Sequence, residues 1–294
     1  MFRTGGRLRC VTYRTGPFLV ELETDYPPLL DTLFELYPPA WTGTTVGLRS
    51  FHVQMWRTGG LMRRWAGPQV RFLLDGASPF EPYPLDHAFP LLEWGVNWCI
   101  AMRAHQFLML HSAVVERGGR ALILPAMPGA GKSTLCAGLA LRGWRLLSDE
   151  FGLCDLATGL LVPLPRAVPL KNESIAVIRA FSADAHLGPL FPRTRKGDVS
   201  HLRPPADSLR RQQEPAQPAY IVFPRFEGAA PLQVRALTPS EGFVRLAQNA
   251  FNYQFLRGDG FIALTHLVSR CDCYSLTFGS LDDAVTALDG LCAA

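Results

Sequence analysis

The first 85 residues alternate apolar and polar positions in short runs separated by Gly, Pro and Asp, a pattern typical of half-buried β-strands. The runs lie at 8–13, 18–22, 51–56 and 70–74. Between the second and third runs, residues 27–36 carry an apolar face at helical spacing with proline in the first turn, which predicts a helix. Residues 1–85 are therefore predicted to form a small, β-rich α+β module.

From residue 86 onward, buried strands alternate with amphipathic helices. Asp86 is expected to cap a helix over 87–104 that packs on a sheet beginning at Phe107. Thr238, followed by Pro239, predicts another helix start. Further strands are expected at 121–124, 220–223, 232–235 (beside 220–223) and 273–278, and further helices after residue 131 and at 173–180, 259–270 and 281–291. This alternation predicts an α/β domain over 86–294.

Residues 182–218 form the least regular stretch, rich in Pro, Arg and Gln. Two interpretations stay open: a solvated loop, and a mobile flap near 194–203 that closes over a substrate and excludes water. The adjacent residues Lys196 and Gly197 favour the interpretation as a flap.

Composition excludes several classes of protein. With 48% hydrophobic and 18% charged residues, the chain has the make-up of a soluble globular protein. A net charge of +4 is too small to indicate a nucleic-acid partner by itself. The longest apolar run, 88–102, is interrupted by Glu93 and Asn97, and neither a membrane span nor a signal peptide is expected. Seven scattered cysteines argue against a disulfide scaffold or zinc site and predict reduced thiols in the cytoplasm.

The pattern G-x-x-x-x-G-K-[ST] of phosphate-binding loops is nearly complete after the predicted strand at 121–124, although Ala126 stands where the first glycine is expected. Its remaining positions are Pro128, Gly129, Ala130, Gly131, Lys132, Ser133 and Thr134. The N–H groups of such a loop and the dipole of the following helix favour a bound phosphate. Lys132 is expected to reach the β- and γ-phosphates of ATP, and Ser133 to hold Mg²⁺. The alternative is a glycine turn that happens to precede Lys-Ser.

An apolar strand ends in Asp149-Glu150, seventeen residues after Lys132. This is the form of a Walker B element, in which Asp149 holds Mg²⁺ and Glu150 orients or deprotonates the attacking group. A solvated acidic turn is the alternative, and the short spacing from the glycine loop favours the functional interpretation.

Only three of the 29 basic residues are lysines, namely Lys132, Lys171 and Lys196. Because an ammonium is a compact charge and a guanidinium a planar fork, the two do not replace each other at a crowded phosphate. Lys171 and Lys196 are therefore hypothesised to face the nucleotide or the phospho-acceptor, with chance retention as the alternative. Arg166 is a further candidate for stabilising phosphate charge.

The region around the loop resembles the catalytic core of HPr kinase/phosphorylase. In that family Leu-His-Gly precedes the loop and Arg-Gly-His-Arg-Leu leads to an Asp-Asp pair; here His111 lies 21 residues before Lys132, and 142–146 leads to Asp149-Glu150. The chain departs from the family at Ser112, which replaces glycine, and at Glu150, which replaces the second aspartate. The subgroup of HPr kinase-related kinase A is similar over nearly the whole chain, including 170–172, 196–205 and 251–253.

The resemblance implies a P-loop domain of the HPr kinase/PEP carboxykinase type and an ATP- and Mg²⁺-dependent kinase. The acceptor it implies is a hydroxyl, either the serine of a small protein or peptide or a small molecule. It also places His111 at the site, beside Asp149 and Glu150 or the γ-phosphate, whereas a lone histidine after an apolar strand is otherwise typical of a core. Hexamers occur among relatives, so a homo-oligomer is possible. A nucleotide-binding scaffold and a plain ATPase are the alternative functions.

Overall fold

The computed structural model describes residues 8–38, 47–59 and 67–293, so the predicted N-terminal module is described apart from 1–7, 39–46 and 60–66. The described residues fold as a mixed α/β protein with three sheets. Among the described residues, no helix combines the length and apolar composition needed to cross a membrane. All seven cysteines have free thiols.

The N-terminal sheet confirms the predicted strands and the helix at 27–36. Its strands follow one another in sheet order as in sequence, and every pairing is antiparallel except that between the second and third. Helix α1 (Pro27–Leu36) buries Leu29, Leu30, Leu33 and Leu36. The strands are β1 (Arg9–Thr15), β2 (Phe18–Thr24), β3 (Phe51–Thr58), β4 (Gln69–Leu74) and β5 (Tyr83–Pro84).

Helix α2 (Ala88–Arg103) packs chiefly on this sheet, against β3 and β4. The predicted main partner, the sheet that begins at Phe107, is therefore wrong, although its first residues share one core with α2. Gly95 makes the close approach possible, because a Cβ there would collide with the ring of Phe72. The predicted cap is also wrong: Asp86 lies within a 3₁₀ turn at Leu85–His87, and no side chain caps α2. Phe107 and Phe151 join the same core, which therefore extends across residue 85.

Two further sheets follow. The large sheet has the order β10-β9-β6-β7-β14-β16-β15, with β8 also beside β6, and the small sheet has the order β11-β13-β12. The strands are β6 (Phe107–Arg117), β7 (Arg120–Pro125), β8 (Arg145–Ser148), β9 (Phe151–Asp155), β10 (Leu161–Val162), β11 (Val168–Lys171), β12 (Phe191–Thr194), β13 (Gly197–Leu202), β14 (Gln217–Phe226), β15 (Gln233–Ala236) and β16 (Asp272–Phe278).

The long strand β6 organises the large sheet. It pairs antiparallel with β7 on one side and with β8 and β9 on the other, so β7 and β8 run parallel to each other. Strand β14 is parallel to β7. The carboxyl ends of β7, β8 and β14 therefore meet at one edge, the usual place for ligands in open α/β sheets. The predicted pairing of 232–235 with 220–223 is wrong, because β16 lies between β15 and β14.

Helices cover both faces of the large sheet and bury a separate core on each. Thr238 accepts a hydrogen bond from the Glu241 amide in a capping box at the start of α6, which confirms the predicted helix start. The helices after α2 are α3 (Lys132–Leu141), α4 (Glu173–Phe181), α5 (Ala206–Arg210), α6 (Pro239–Ala247), α7 (Tyr253–Leu256), α8 (Gly258–Arg270) and α9 (Leu281–Ala293).

Residues 182–218 are more regular than their composition suggests. They contain the hairpin of β12 and β13, helix α5 and the start of β14. Strand β13 also pairs with β11, which fixes the hairpin to the small sheet. The solvated-loop interpretation is therefore wrong for 191–202, whereas closure of this hairpin over a substrate stays a prediction.

Candidate functional site

The predicted phosphate loop lies between β7 and α3. Gly129 and Gly131 have φ of +88° and +83°, values that residues with a side chain rarely adopt. At Gly131 a Cβ would also lie 2.9 Å from the Cβ of Phe226, so space as well as conformation requires glycine. Ala126 is buried and does not have a positive φ, which explains how alanine occupies the position of the first glycine.

The start of α3 leaves backbone amides without helical partners next to the glycine loop. The amides in the first turn of α3, from Lys132 to Thr134, have no carbonyl one turn earlier in the helix to bond to. They carry the positive end of the helix dipole. The carbonyl of Ala130 accepts a hydrogen bond of 3.0 Å from the Phe226 amide, which fixes the loop against the end of β14.

Asp149, the residue after β8, contacts both functional side chains at the start of α3. The Ser133 hydroxyl donates a 2.8 Å hydrogen bond to Asp149 Oδ2. Lys132 Nζ lies 3.7 Å from Asp149 Oδ1 and also donates to the Asp149 carbonyl. Apart from this ion pair, buried Oδ1 has no hydrogen-bond partner among the described residues. A hydroxyl and a carboxylate are the oxygen ligands that Mg²⁺ prefers.

His111 and Glu150 complete this part of the site. His111 is half-buried, and its amide donates a 2.6 Å hydrogen bond to the Asn249 carbonyl. Burial and the nearby Lys132 ammonium lower the pKa of His111, while Glu150 and Asp149 oppose the shift. Because the pKa falls, the imidazole is neutral at pH 7 and acts as a hydrogen-bonding group. Glu150 is half-buried in the same electrostatic environment.

Asn252 positions the strand that carries His111, a role that periodicity did not indicate. Its Oδ1 accepts a 2.9 Å hydrogen bond from the Met109 amide, and its Nδ2 donates one of 2.7 Å to the Phe107 carbonyl. Asn252 is 1% exposed. Its side chain therefore forms the backbone hydrogen bonds that a neighbouring strand would otherwise form with the first residues of β6.

Lys171 and Lys196 line the same cavity, while the hypothesis that they face a nucleotide or a phospho-acceptor stays a prediction. Lys171 ends β11, and Lys196 lies in the turn between β12 and β13. Asn172 connects the two segments: its amide donates to the Asp198 carbonyl over 2.9 Å, and its Oδ1 accepts from the Asp198 amide over 3.0 Å. Burial and then the Lys196 charge lower the pKa of Lys171, opposed by Glu150 and Asp149. Lys196 Nζ lies 5.2 Å from the centre of the Trp94 ring.

Arg166 has a buried ionic partner that the sequence analysis missed. Its Nη2 donates to Glu93 Oε2 over 2.7 Å and to the Glu93 carbonyl over 3.1 Å. Burial opposes the charged form, yet Glu93 and the neighbouring tyrosines outweigh it and raise the pKa of Arg166. The interruption of the apolar run by Glu93 was the available signal, because a charged residue on a buried helix is usually paired.

Most of the predicted catalytic residues line one cavity. Its predicted members are Asp149, Glu150, Arg166, Lys171 and Lys196. Trp94 and His201 also line it, although neither was among the predicted site residues. His111, Lys132 and the glycine loop belong to the neighbouring phosphate side, and Asp149 and Glu150 connect the two. A second pocket, beside His266 and Arg270, contains none of the predicted residues.

No protein-family model matches the sequence, and no curated protein is significantly similar to it. What the site does must therefore be inferred from its own geometry and chemistry.

Proposed function

We propose that the protein is an ATP- and Mg²⁺-dependent phosphotransferase of the HPr kinase-like type, which moves the γ-phosphate of ATP to a hydroxyl acceptor. The observation that carries the proposal is the convergence of Lys132 and Ser133 on Asp149. A lysine and a hydroxyl at a helix N-terminus, opposite a carboxylate at a strand end, are what P-loop enzymes use to hold a metal-bound triphosphate.

Binding of the triphosphate follows from the loop. The amides of the first turn of α3 and the Lys132 ammonium bind phosphate oxygens. Ser133 and Asp149 would hold Mg²⁺ through oxygen atoms, and Oδ1 of Asp149 has no hydrogen-bond partner among the described residues that would compete for it. When bound, Mg²⁺ neutralises charge that develops on the phosphate oxygens. Gly129 and Gly131 allow the backbone to approach because neither places a side chain in the way.

Transfer requires a base, for which Glu150 is the candidate. Its carboxylate takes the proton of the acceptor hydroxyl as the new O–P bond forms and the bond from Pγ to the ADP oxygen breaks. Neutral His111 hydrogen-bonds Glu150 or the γ-phosphate. Lys171 and Lys196 line the same cavity as Glu150 and supply positive charge beside the reacting groups.

The decisive experiment combines nucleotide binding with transfer. Calorimetry is expected to show Mg²⁺-dependent binding of ATP, lost in Lys132→Ala. Incubation with γ-labelled ATP and a cell lysate is expected to yield a labelled acceptor. Glu150→Gln is expected to retain nucleotide binding and to lose transfer by a factor of about 10²–10⁴. Glu214→Gln, which alters an exposed carboxylate paired with Arg211, is the control and is expected to keep full activity.

The other outcomes separate the alternatives. Absence of Mg²⁺-dependent nucleotide binding would overturn the proposal. Release of labelled phosphate with no labelled acceptor would indicate a plain ATPase. Tight binding without turnover, unchanged in Glu150→Gln, would indicate a nucleotide-binding scaffold.

A further inference from the structure

The cavity beside Glu150 contains buried hydrogen-bonding groups without partners. Arg166 uses Nη2 to bond Glu93, whereas its Nε and Nη1 have no hydrogen-bond partner among the described residues. His201 is 1% exposed, and neither of its ring nitrogens has a partner there. Both side chains line the cavity. Because an unpaired buried polar group is costly, two such groups in one cavity indicate a polar ligand.

Charge identifies the ligand as an anion. The positive charge of Arg166 is balanced by Glu93. Lys171 and Lys196 add two further charges, and among the described residues neither ammonium has a carboxylate within 4.0 Å, the distance of an ion pair. Asp149 also lines the wall, but it is paired with Lys132. Among the described residues, the unpaired charges on the wall are therefore the two ammonium groups and the Glu150 carboxylate, which leaves a surplus of one positive charge.

His201 contributes hydrogen bonding and no charge. Burial, and then the charges of Arg166 and Lys171, lower its pKa to about 3, so the ring is neutral at pH 7. A neutral imidazole presents one N–H donor and one acceptor nitrogen. Phe89 and Phe191 pack against the ring and hold it in place, with ring centres 5.1 and 6.1 Å away.

The shape of the cavity limits the size of the ligand. Helix α2 supplies Trp94 and Asn97 to one wall, the segment around Arg166 and Lys171 supplies the second, and the β12–β13 hairpin supplies the third. The Lys196 ammonium over the Trp94 ring connects the first and third walls. The cavity encloses about 30 Å³, which has room for one small polar group and not for the surface of a folded protein.

We infer that this cavity is the acceptor subsite of the phosphotransferase proposed above and takes a small hydroxylated organic anion. Its carboxylate or phosphate group faces Arg166, Lys171 and His201, and its hydroxyl faces Glu150. In the reaction the hydroxyl oxygen bonds to Pγ, its proton passes to Glu150, and the bond from Pγ to ADP breaks. The product is the phosphate ester of the anion.

Binding of inorganic phosphate tests the subsite without knowledge of the natural acceptor. The protein is first saturated with Mg²⁺ and an ATP analogue that has a non-hydrolysable β–γ bridge, so that the glycine loop is filled. Calorimetry is then expected to show one phosphate bound per chain. Lys171→Met and Lys196→Met are each expected to weaken this binding about tenfold. Arg235→Met, at an exposed cation paired with Glu241, is the matched control and is expected to bind phosphate as the wild type does.

Arg166 needs a paired substitution, because its removal alone would leave Glu93 buried and unpaired. The double variant Glu93→Gln/Arg166→Met removes both charges and keeps the volume. It is expected to fold, as circular dichroism will show, and to lose phosphate binding. If it does not fold, the phosphate affinities of Lys171→Met and Lys196→Met alone test the subsite.

Competition identifies the anionic group. Glycerate and glycerol 3-phosphate are expected to displace the bound phosphate, whereas glycerol is not. The anion that competes at the lower concentration shows whether the subsite prefers a carboxylate or a phosphate group. Equal competition by glycerol, or no phosphate binding once the analogue is bound, would overturn the subsite while leaving the phosphotransferase proposal intact. Failure of the analogue itself to bind would instead overturn the phosphotransferase, and the subsite with it.

Discussion

Ser133 Oγ donates a hydrogen bond of 2.8 Å to Asp149 Oδ2, although the two residues lie 16 positions apart in the chain. Helix α3 and strand β8 form the connection between them, and β8 ends beside the residue where α3 begins. Because β7 and β8 are parallel neighbours of β6, the crossover returns the chain to the same edge of the sheet. The groups proposed to bind the metal and the phosphate are thus brought together by one short helix and one strand.

Asp149→Asn is expected to raise the Mg²⁺ concentration needed for nucleotide binding by about ten- to a hundredfold. The amide keeps the size of the side chain and still accepts from Ser133, but it lacks the negative charge that attracts the metal. Magnesium titrations of nucleotide binding measure the effect. Asp155→Asn is the matched control, because Asp155 ends the adjacent strand and bonds only its own turn at Ala157 and Thr158. Identical magnesium curves for wild type and Asp149→Asn would contradict the assignment.

Gly131→Ala is expected to abolish nucleotide binding and to lower the free energy of unfolding by about 2 kcal/mol or more. It combines the cost of a left-handed φ, about 1–2 kcal/mol, with the contact of 2.9 Å to Phe226. Gly143→Ala is the matched control, because Gly143 has φ of +88° and open space around it. This control is expected to lose stability and keep nucleotide affinity. Thermal unfolding and calorimetry separate the two effects, and intact binding by Gly131→Ala would refute the loop assignment.

The sequence predicted the elements of this site better than their surroundings. The strand, glycine loop and helix are local features, set by Gly131 and by a run of apolar residues, and they lie where the pattern indicated. The partners of Arg166 and Lys196 come from α2, more than 70 residues earlier in the chain. A pattern in one sequence does not reveal such distant contacts, nor that β16 separates β14 from β15.

The irregular composition of 182–218 was misleading for a related reason. Its hairpin buries Phe191, Val199 and Leu202, but particular polar groups fix its turn. The Thr194 hydroxyl donates to the Gly197 carbonyl over 2.7 Å, and Asp198 accepts from the Arg193 amide over 2.8 Å. Gly197 is required there, because a Cβ would collide with the side chain of Asn172. Side-chain-to-backbone bonds of this kind leave no periodic signal.

Asn252→Ala is expected to lower the free energy of unfolding by about 1–3 kcal/mol, because it leaves the buried Met109 amide and Phe107 carbonyl unpaired. Hydrogen exchange is expected to speed up at Met109 and its neighbours in β6. Asn249→Ala is a useful comparison, since the Asn249 side chain donates only to Arg245 within its own helix turn, while its backbone carbonyl still binds His111. A larger loss of stability in Asn249→Ala than in Asn252→Ala would contradict this prediction.

Acid is expected to destabilise the protein through His201. Its pKa is lowered to about 3 by burial and by the charges of Arg166 and Lys171, whereas an unfolded histidine titrates near 6.5. Between these values the unfolded chain binds one more proton at this residue than the folded chain does. The free energy of unfolding therefore falls as the pH drops from about 6.5 towards 3, by about 1.4 kcal/mol per pH unit from this residue, and the contribution is constant above 6.5.

His201→Phe isolates that contribution, because the new ring lies among Phe89 and Phe191 and does not titrate. Urea unfolding at a series of pH values gives the free energy of unfolding as a function of pH. Below pH of about 6.5 this free energy is expected to fall less steeply in the variant than in the wild type, by the amount that corresponds to one proton. Above that pH the two curves are expected to be parallel. His105→Phe, which changes an exposed histidine, controls for the substitution itself. Parallel curves for wild type and His201→Phe through the acid range would contradict the prediction, because they would mean that folding does not lower the pKa of His201.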